Sequence, residues 1–410
     1  MSESKRNIPE LRFPEFTDEW EEKKLGEIAY INDGTHNTPY YVEKGIPFYS
    51  VENVTSNDFI NSKFITEDQY LQYKKRVDIN YGDILMTRIG SIGEAKLVDW
   101  EYPSSFYVSL AIIKLYEGYL SSFILYLIQT NNTKKNIKAN SLITAIPQKI
   151  NLIDLKKVNV NISMNLKEQE KIGTFFSKLD RLIELEEKKY ELLEQQKRGY
   201  MQKIFSQELR FKDENGNEYT CWKEQKLEEV GVFNSGVGFP EKYQGGGLGI
   251  PFFKVSDMNH PVNKIFMKKA NNYVTEEQID EKKWKVINDV PAVIFAKVGA
   301  AIMLNRKRIV IEPFLIDNNT MSYSFSSNWN MRFGNIFFQT LNLPKYAQIG
   351  ALPSYNSKDI GSILVNLPVL EEQEKIGNFF NHLDKLLEKQ STKIESLKER
   401  RKGFLQKMFV

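Results

Sequence analysis

The 410-residue chain carries 56 Lys and Arg against 53 Asp and Glu, a net charge of +3, with 41% hydrophobic and 12% aromatic residues. That size and composition suit two or three folded domains, each with its own core, and exclude a disordered chain. Cys221 is the only cysteine, which excludes an intramolecular disulfide and a cysteine-based zinc site. The near-balance of charge neither demands nor excludes nucleic acid: a DNA partner would need basic residues gathered on one face, or a second protein to share the load.

The opening, MSESKRNIPELRFPEF, lacks the apolar core of a signal peptide. The most apolar stretch, Phe123 to Ile128, is too short to span a bilayer, so a soluble cytoplasmic protein with no membrane partner is expected. Short apolar or alternating runs predict strands at 46–51, 83–89 and 108–115, with a helix over 120–130. A long helix follows over 166–205. Strands recur at 251–255, 292–298 and 308–311, a helix at 329–340, and a second long helix at 370–409. Clusters such as Asn32-Asp33-Gly34 and Gly245-Gly246-Gly247 mark exposed loops.

The two long helices are one sequence written twice. LKEQEKIGTFFSKLDRLIELEEKKYELLEQQKRGYMQKIF, from Leu166, aligns without a gap to LEEQEKIGNFFNHLDKLLEKQSTKIESLKERRKGFLQKMF, from Leu370, with about half the positions identical. The preceding segments correspond more faintly: Leu11-Arg12-Phe13 with Leu209-Arg210-Phe211, Trp20 with Trp222, Gly45-Ile46-Pro47-Phe48 with Gly249-Ile250-Pro251-Phe252, and Ile146-Pro147 with Leu352-Pro353. The expected fold class is mixed α/β (α+β), with a pseudo-twofold internal repeat: a globular domain over 1–163, a common helix over 164–208, a second domain over 209–368 and a second common helix over 369–410.

Both helices carry a heptad seam. It reads Ile172, Phe176, Leu179, Ile183, Glu186, Tyr190, Leu193, Lys197, Tyr200, Ile204 in the first and Ile376, Phe380, Leu383, Leu387, Gln390, Ile394, Leu397, Arg401, Phe404, Met408 in the second. An antiparallel coiled coil is expected. The polar seam residues suggest a register in which Glu186 faces Arg401 and Lys197 faces Gln390. Leu179 then meets Met408, Ile183 meets Phe404, Tyr190 meets Leu397, Leu193 meets Ile394, Tyr200 meets Leu387 and Ile204 meets Leu383. A slip of one heptad would set Glu186 against Ile394 and Lys197 against Leu383. Phe175, Phe176, Phe379 and Phe380 lie beyond the paired region. They either dock each helix onto its own domain or form two equivalent patches for two copies of a partner protein.

Loop residues with donors are the candidate DNA contacts: Thr35, His36, Asn37, Arg88, Ser91, Gln148 and Lys149 in the first half, and Asn234, Ser235, Lys254, Lys297, Asn305 and Arg306 in the second. Arg and Lys can read guanine, and Asn and Gln adenine, by paired hydrogen bonds in the major groove. Each taken alone also reads as an ordinary solvated loop residue; their matching places in the two halves add weight. Catalytic patterns are missing from the sequence. There is no GxxxxGK[ST] phosphate loop and no Asn/Asp-Pro-Pro-Tyr/Phe stretch, and His36, His260 and His382 are scattered, so no catalytic residue and no metal ligand is assigned.

With PELRFPEF, the GIPF segments and the doubled EQEKIGxFFxxLD helix in hand, the chain resembles the specificity subunits of type I restriction-modification enzymes, over its whole length. The resemblance implies two target recognition domains, each reading one half of a split site on double-stranded DNA, held apart by the coiled coil. It also implies two methyltransferase subunits that hold S-adenosylmethionine, and restriction subunits that translocate DNA with ATP and Mg. No cofactor is then expected in this chain, which would be a non-catalytic member of the complex.

Overall fold

The computed structural model describes residues 7–348, 350 and 352–410; the first six residues of the opening, read above for a leader, lie outside them. Contacts divide the chain into two compact units. Unit 1 runs up to Lys189 and takes in Ser391–Val410; unit 2 is Tyr190–Gln390. Each unit therefore holds one globular domain, the first part of the long helix that follows it and the last part of the other long helix.

In unit 1 the central element is a four-stranded antiparallel sheet in the order Ala29–Asp33, Leu110–Leu115, Ile84–Thr87, Ala95–Leu97. Beside it lies a three-stranded sheet. There Ile46–Tyr49 pairs antiparallel with Lys63–Ile65 and parallel with Ser105–Phe106. A ribbon of Glu21–Lys24 against Asn159–Ile162 brings the two ends of the domain together at the start of the long helix. Period-two burial explains the main sheet: Ile84, Met86, Ala111 and Ile113 point into one core with Phe123 and Leu127, while Leu85, Leu110 and Ile112 point into another with Tyr49 and Trp100.

Unit 2 repeats this topology strand for strand. Its main sheet runs Gly231–Ser235, Thr320–Phe325, Ala292–Ala296, Lys307–Val310; its small sheet runs Tyr273–Val274, Ile250–Phe253, Leu315–Ile316; its ribbon pairs Lys223–Lys226 with Leu364–Leu367. The sequence-predicted strands all appear, with ends within two residues of those expected. A helix at Asn131–Ala139, directly after Ser121–Gln129, was not foreseen. Its stretch is mostly polar, and the break rests on Thr130, which ends the first helix and accepts from the Thr133 N–H at 3.2 Å to begin the second.

The long helices span Leu166–Phe205 and Leu370–Lys407. Every predicted seam position is buried or half-buried, while their flanks are largely exposed. Pairing is antiparallel, but the register differs from the expected one. In unit 1 Glu186 accepts from Lys393 at 2.6 Å and not from Arg401; Arg401 pairs with Asp180, and the Phe175 and Phe404 rings lie 5.1 Å apart. In unit 2 Lys197 Nζ meets Asp384 Oδ1 at 2.6 Å, and Tyr200 packs on Phe379 at 5.1 Å. This is the arrangement one heptad away. The expectation let seam charges be neutralised only by other seam residues. The structure uses the aspartate of the repeated Leu-Asp pair, one residue off the seam: Asp180 serves Arg401 and Asp384 serves Lys197, the same contact made in each unit.

Candidate nucleic-acid interface

The repeated EQEKIG motif turns out to be a joint between helix and domain. Glu168 is fully buried and accepts from Arg12 (2.6 and 2.9 Å), Trp20 Nε1 (3.2 Å) and Ser163 Oγ (2.5 Å). Glu372 accepts likewise from Arg210 (3.1 and 2.7 Å) and Trp222 Nε1 (3.0 Å). Gln169 and Gln373 each accept a backbone N–H, from Leu120 and Asn330, at 2.8 Å, and each donates to two carbonyls. The glycine of the motif is required by close approach: a Cβ at Gly173 would stand 2.5 Å from Ser122 Oγ, and one at Gly377 2.8 Å from Arg332 Cβ. Ile172, Phe176, Ile376 and Phe380 complete the joint from within the cores.

Of the two readings of the four phenylalanines the structure favours docking, and it corrects their expected place beyond the paired region, since Phe175 and Phe379 meet the facing helix. Phe176 and Phe380 are fully buried, and Phe175 and Phe379 are half-buried against Phe404 and Tyr200, so they dock the helices and present no aromatic patch.

This joint holds each main sheet so that one end of it carries the loops named as candidate DNA contacts. In unit 1 these are the turn after Asp33, the hairpin 88–94 and a second small hairpin at 142–149. Gly90 N donates to Gln148 O at 2.8 Å, Ile150 N to Arg88 O at 2.9 Å, and Leu142 N to Lys149 O at 2.7 Å, which stitches the last two together. Gly34 lets the turn lie against Phe106, whose carbonyl oxygen would be 2.1 Å from a Cβ there. In unit 2 the counterparts are the loop after Ser235, residues 297–306, and Gln348 with residues 352–354. Gly299 N donates to Pro353 O at 2.8 Å, and Gly236 lies as closely on Asp317.

Not every candidate on this rim is free to meet a ligand. Arg88 is buried: its guanidinium donates to Asp33 (3.2 Å), Val108 O (2.7 Å) and Ile150 O (3.2 Å), so it braces the rim from behind. Burial lowers its pKa, with the Asp33 carboxylate opposing that effect. Thr35 is also buried, its hydroxyl accepting from Asn37 N. Asn305, in the left-handed region at φ 48°, is bound to Leu341 O, Leu343 N and Lys307, and is likewise part of the frame. Asn234 donates across the sheet to Ser324 Oγ at 3.3 Å. Exposed or half-exposed on the rim are His36, Asn37, Ser91, Gln148 and Lys149 in unit 1, and Ser235, Lys254, Lys297 and Arg306 in unit 2. Lys254 reaches Gln244 Oε1 at 3.3 Å, and Arg306 bonds Asn259.

Two residues that sequence reasoning passed over belong here. Buried Asp33 gathers His36 (3.1 Å), Arg76 and Arg88, and Arg76 keeps nearly half of its side chain exposed beside His36. Asp33 was visible only as part of a turn, and nothing in the sequence around Arg76 points to Asp33. Among the described residues no group of His, Cys, Asp and Glu is arranged to hold a metal ion, and no helix is long and apolar enough to cross a membrane.

A doubled α+β domain with a clamped long helix after each copy defines the class: a two-domain repeat protein with variable rims on a common frame. The family model for the type I restriction modification DNA specificity domain matches residues 17–195 and again 220–399, and the chain belongs to that family. Among its relatives are two type I restriction enzyme specificity subunits of Methanocaldococcus jannaschii. MjaVIII is 26% identical, with 95% of this chain and 92% of that one aligned; MjaIX is 25% identical, with 72% and 69% aligned. The crystal structure of the type I restriction-modification S subunit from M. genitalium shares the fold with a TM-score of 0.59, at 16% identity, covering 98% of this chain and 99% of that one.

Proposed function

We propose that this chain is the non-catalytic specificity subunit of a type I restriction-modification complex, with recognition domains over 1–163 and 209–368 that each read one half of a bipartite target on double-stranded DNA. The observation that carries the reading is one frame built twice with two differently furnished rims. Buried clamps, ribbons and strand order repeat between the units, whereas the exposed rim residues do not. Such a division suits a protein whose two halves do the same task on different sequences.

Contacts to DNA fall to His36, Asn37, Ser91, Gln148 and Lys149 in the first domain and to Ser235, Lys254, Lys297 and Arg306 in the second. The long helices, roughly 60 Å each at 1.5 Å per residue, act as the spacer between half-sites. Two methyltransferase subunits dock on the assembly and bring S-adenosylmethionine; restriction subunits bring ATP and Mg. The complex works in the cytoplasm. With a net charge of only +3, the chain depends on the methyltransferase subunits for part of its affinity for DNA phosphates.

The test is a methylome. The chain is co-expressed with its methyltransferase subunit in a host without such activity, and the DNA is sequenced with modified-base detection. A new split motif carrying methyladenine in each half is expected, and exchanging residues 1–163 should change one half alone. A stable complex that leaves no motif would overturn the reading in favour of an adaptor between proteins.

A further inference from the structure

The charge of unit 1 is unevenly distributed along the chain. From Gly118 to Ile153 there is no Asp or Glu, while Lys134, Lys135, Lys138 and Lys149 all fall in that stretch, in a chain where acids and bases otherwise nearly balance. The stretch contains the helix Asn131–Ala139 and the hairpin 142–149. The helix turns Thr133 and Ile137 inward, so Lys135 and Lys138, three residues apart, share its exposed side. Lys134 is held by Glu94 at 2.9 Å, which ties the helix to the hairpin 88–94 and thus to the rim. Lys135, Lys138 and Lys149 have no carboxylate within ion-pair distance among the described residues.

The hairpin ends in an unusual apolar tip. Ile146 is 100% exposed, with Leu142 and Ile143 about half exposed beside it. The backbone bonds between Leu142 and Lys149, in both directions, and those to Gly90 and Arg88 hold the tip on a short, braced arm. A fully exposed isoleucine forgoes the stabilisation that burial would return. On a stretch that carries three unpaired lysines and no acid of its own, the surface that would cover the tip is a polyanion with an apolar interior: a duplex, whose phosphates flank grooves lined by thymine methyls and base steps.

We infer that the helix Asn131–Ala139 and the hairpin 142–149 form a groove-entering element of the first recognition domain, with Ile146 in apolar contact with bases and Lys135, Lys138 and Lys149 on backbone phosphates. This rests on the proposed function and extends it to residues that do not hydrogen-bond to bases. Unit 2 has a parallel segment. Asn318–Lys358 also lacks Asp and Glu while carrying Arg332, Lys345 and Lys358, and Leu352 is exposed in the corresponding place.

The experiment uses the complex with the methyltransferase subunits and a duplex carrying the motif found for the unaltered protein. A triple variant, Lys135→Gln, Lys138→Gln and Lys149→Gln, should weaken binding to all sequences. It should also flatten the slope of log affinity against log salt by about 2 to 3, with melting temperature unchanged. Ile146→Ser should relax base preference in the half-site of the first domain and leave the other half as it was. An unaltered salt slope together with an unaltered half-site overturns the inference. Loss of complex assembly in either variant also overturns it, by showing the face to be a protein contact. Failure of the proposed function itself looks different: the unaltered complex would then yield no motif.

Discussion

At one corner of the main sheet the two units arrange the same backbone around different charges. Arg88 and Lys297 are equivalent: each N–H donates at 2.9 Å to the residue before the central strand, Ser109 or Asn319, and each carbonyl accepts from the incoming segment, at Ile150 or Tyr355. In unit 1 the neighbouring strand ends in Asp33, and the arginine is drawn inward onto it. In unit 2 that strand ends in Ser235, and Lys297 stands half-exposed with no carboxylate at ion-pair distance among the described residues. A cation at a given place in the frame is therefore available to a ligand only if the residue at the end of the next strand leaves it so. The identity of one buried partner changes a brace into a contact.

The frame itself should respond alike in both units. Glu168→Ala and Glu372→Ala each leave a half-buried arginine and a buried indole N–H without their carboxylate, at about 2 to 3 kcal/mol. Hydrogen exchange should show the loss in strands 29–33 and 110–115 for the first and in 231–235 and 320–325 for the second. A much smaller loss in unit 2 would mean that Ser163, which has no counterpart among the partners of Glu372, carries much of the clamp.

At the corner the units should part company. Arg88→Ala removes three inward hydrogen bonds and should cost unit 1 about 2 to 3 kcal/mol. Lys297→Ala should leave unit 2 as stable as before, while cutting DNA affinity of the assembled complex several-fold and the salt slope by about 1. A destabilised Lys297→Ala protein with normal DNA binding would erase the contrast.

The smallest effect concerns pH and belongs to unit 2. Lys307 Nζ bonds the Leu341 carbonyl at the end of the helix Met331–Thr340 (2.5 Å) and Asn305 Oδ1 (2.7 Å), without a carboxylate, and burial pushes its pKa down to about 8. Because the folded value lies below the unfolded one, the unfolded chain alone keeps the proton between about 8 and the ordinary lysine value near 10.4. Unit 2 should gain stability, about 1 to 2 kcal/mol, as pH rises through that window. Protection factors of the amides in strand 292–296, corrected for the faster intrinsic exchange at higher pH, should rise accordingly, and Lys307→Met should abolish the trend.

Much of this architecture was legible beforehand because it is written locally and twice. Strand alternation, helix composition and the heptad seam each depend on residues close in sequence, and the repeat itself located the frame. What escaped depends on contacts across the fold. In the sequence Arg88 is a loop donor like its neighbours, because Asp33, Val108 and Ile150 meet it only after the sheet forms. The helix register escaped because the decisive aspartates, Asp180 and Asp384, sit beside the seam. The helix Asn131–Ala139 has almost no apolar stripe and is set by one threonine cap.

The composition of unit 1 also has a bearing on the order in which the protein is made. Leu405, Met408 and Phe409 lie in one core with Trp20 and Phe123, the Trp20 and Phe409 rings 5.8 Å apart, and Leu11 N donates to Lys407 O. A ribosome delivers Trp20 early and Phe409 almost a whole chain later. The first domain to emerge must wait with part of its interior uncovered until the second has been synthesised. The second unit, whose parts arrive in an unbroken run, has no such interval.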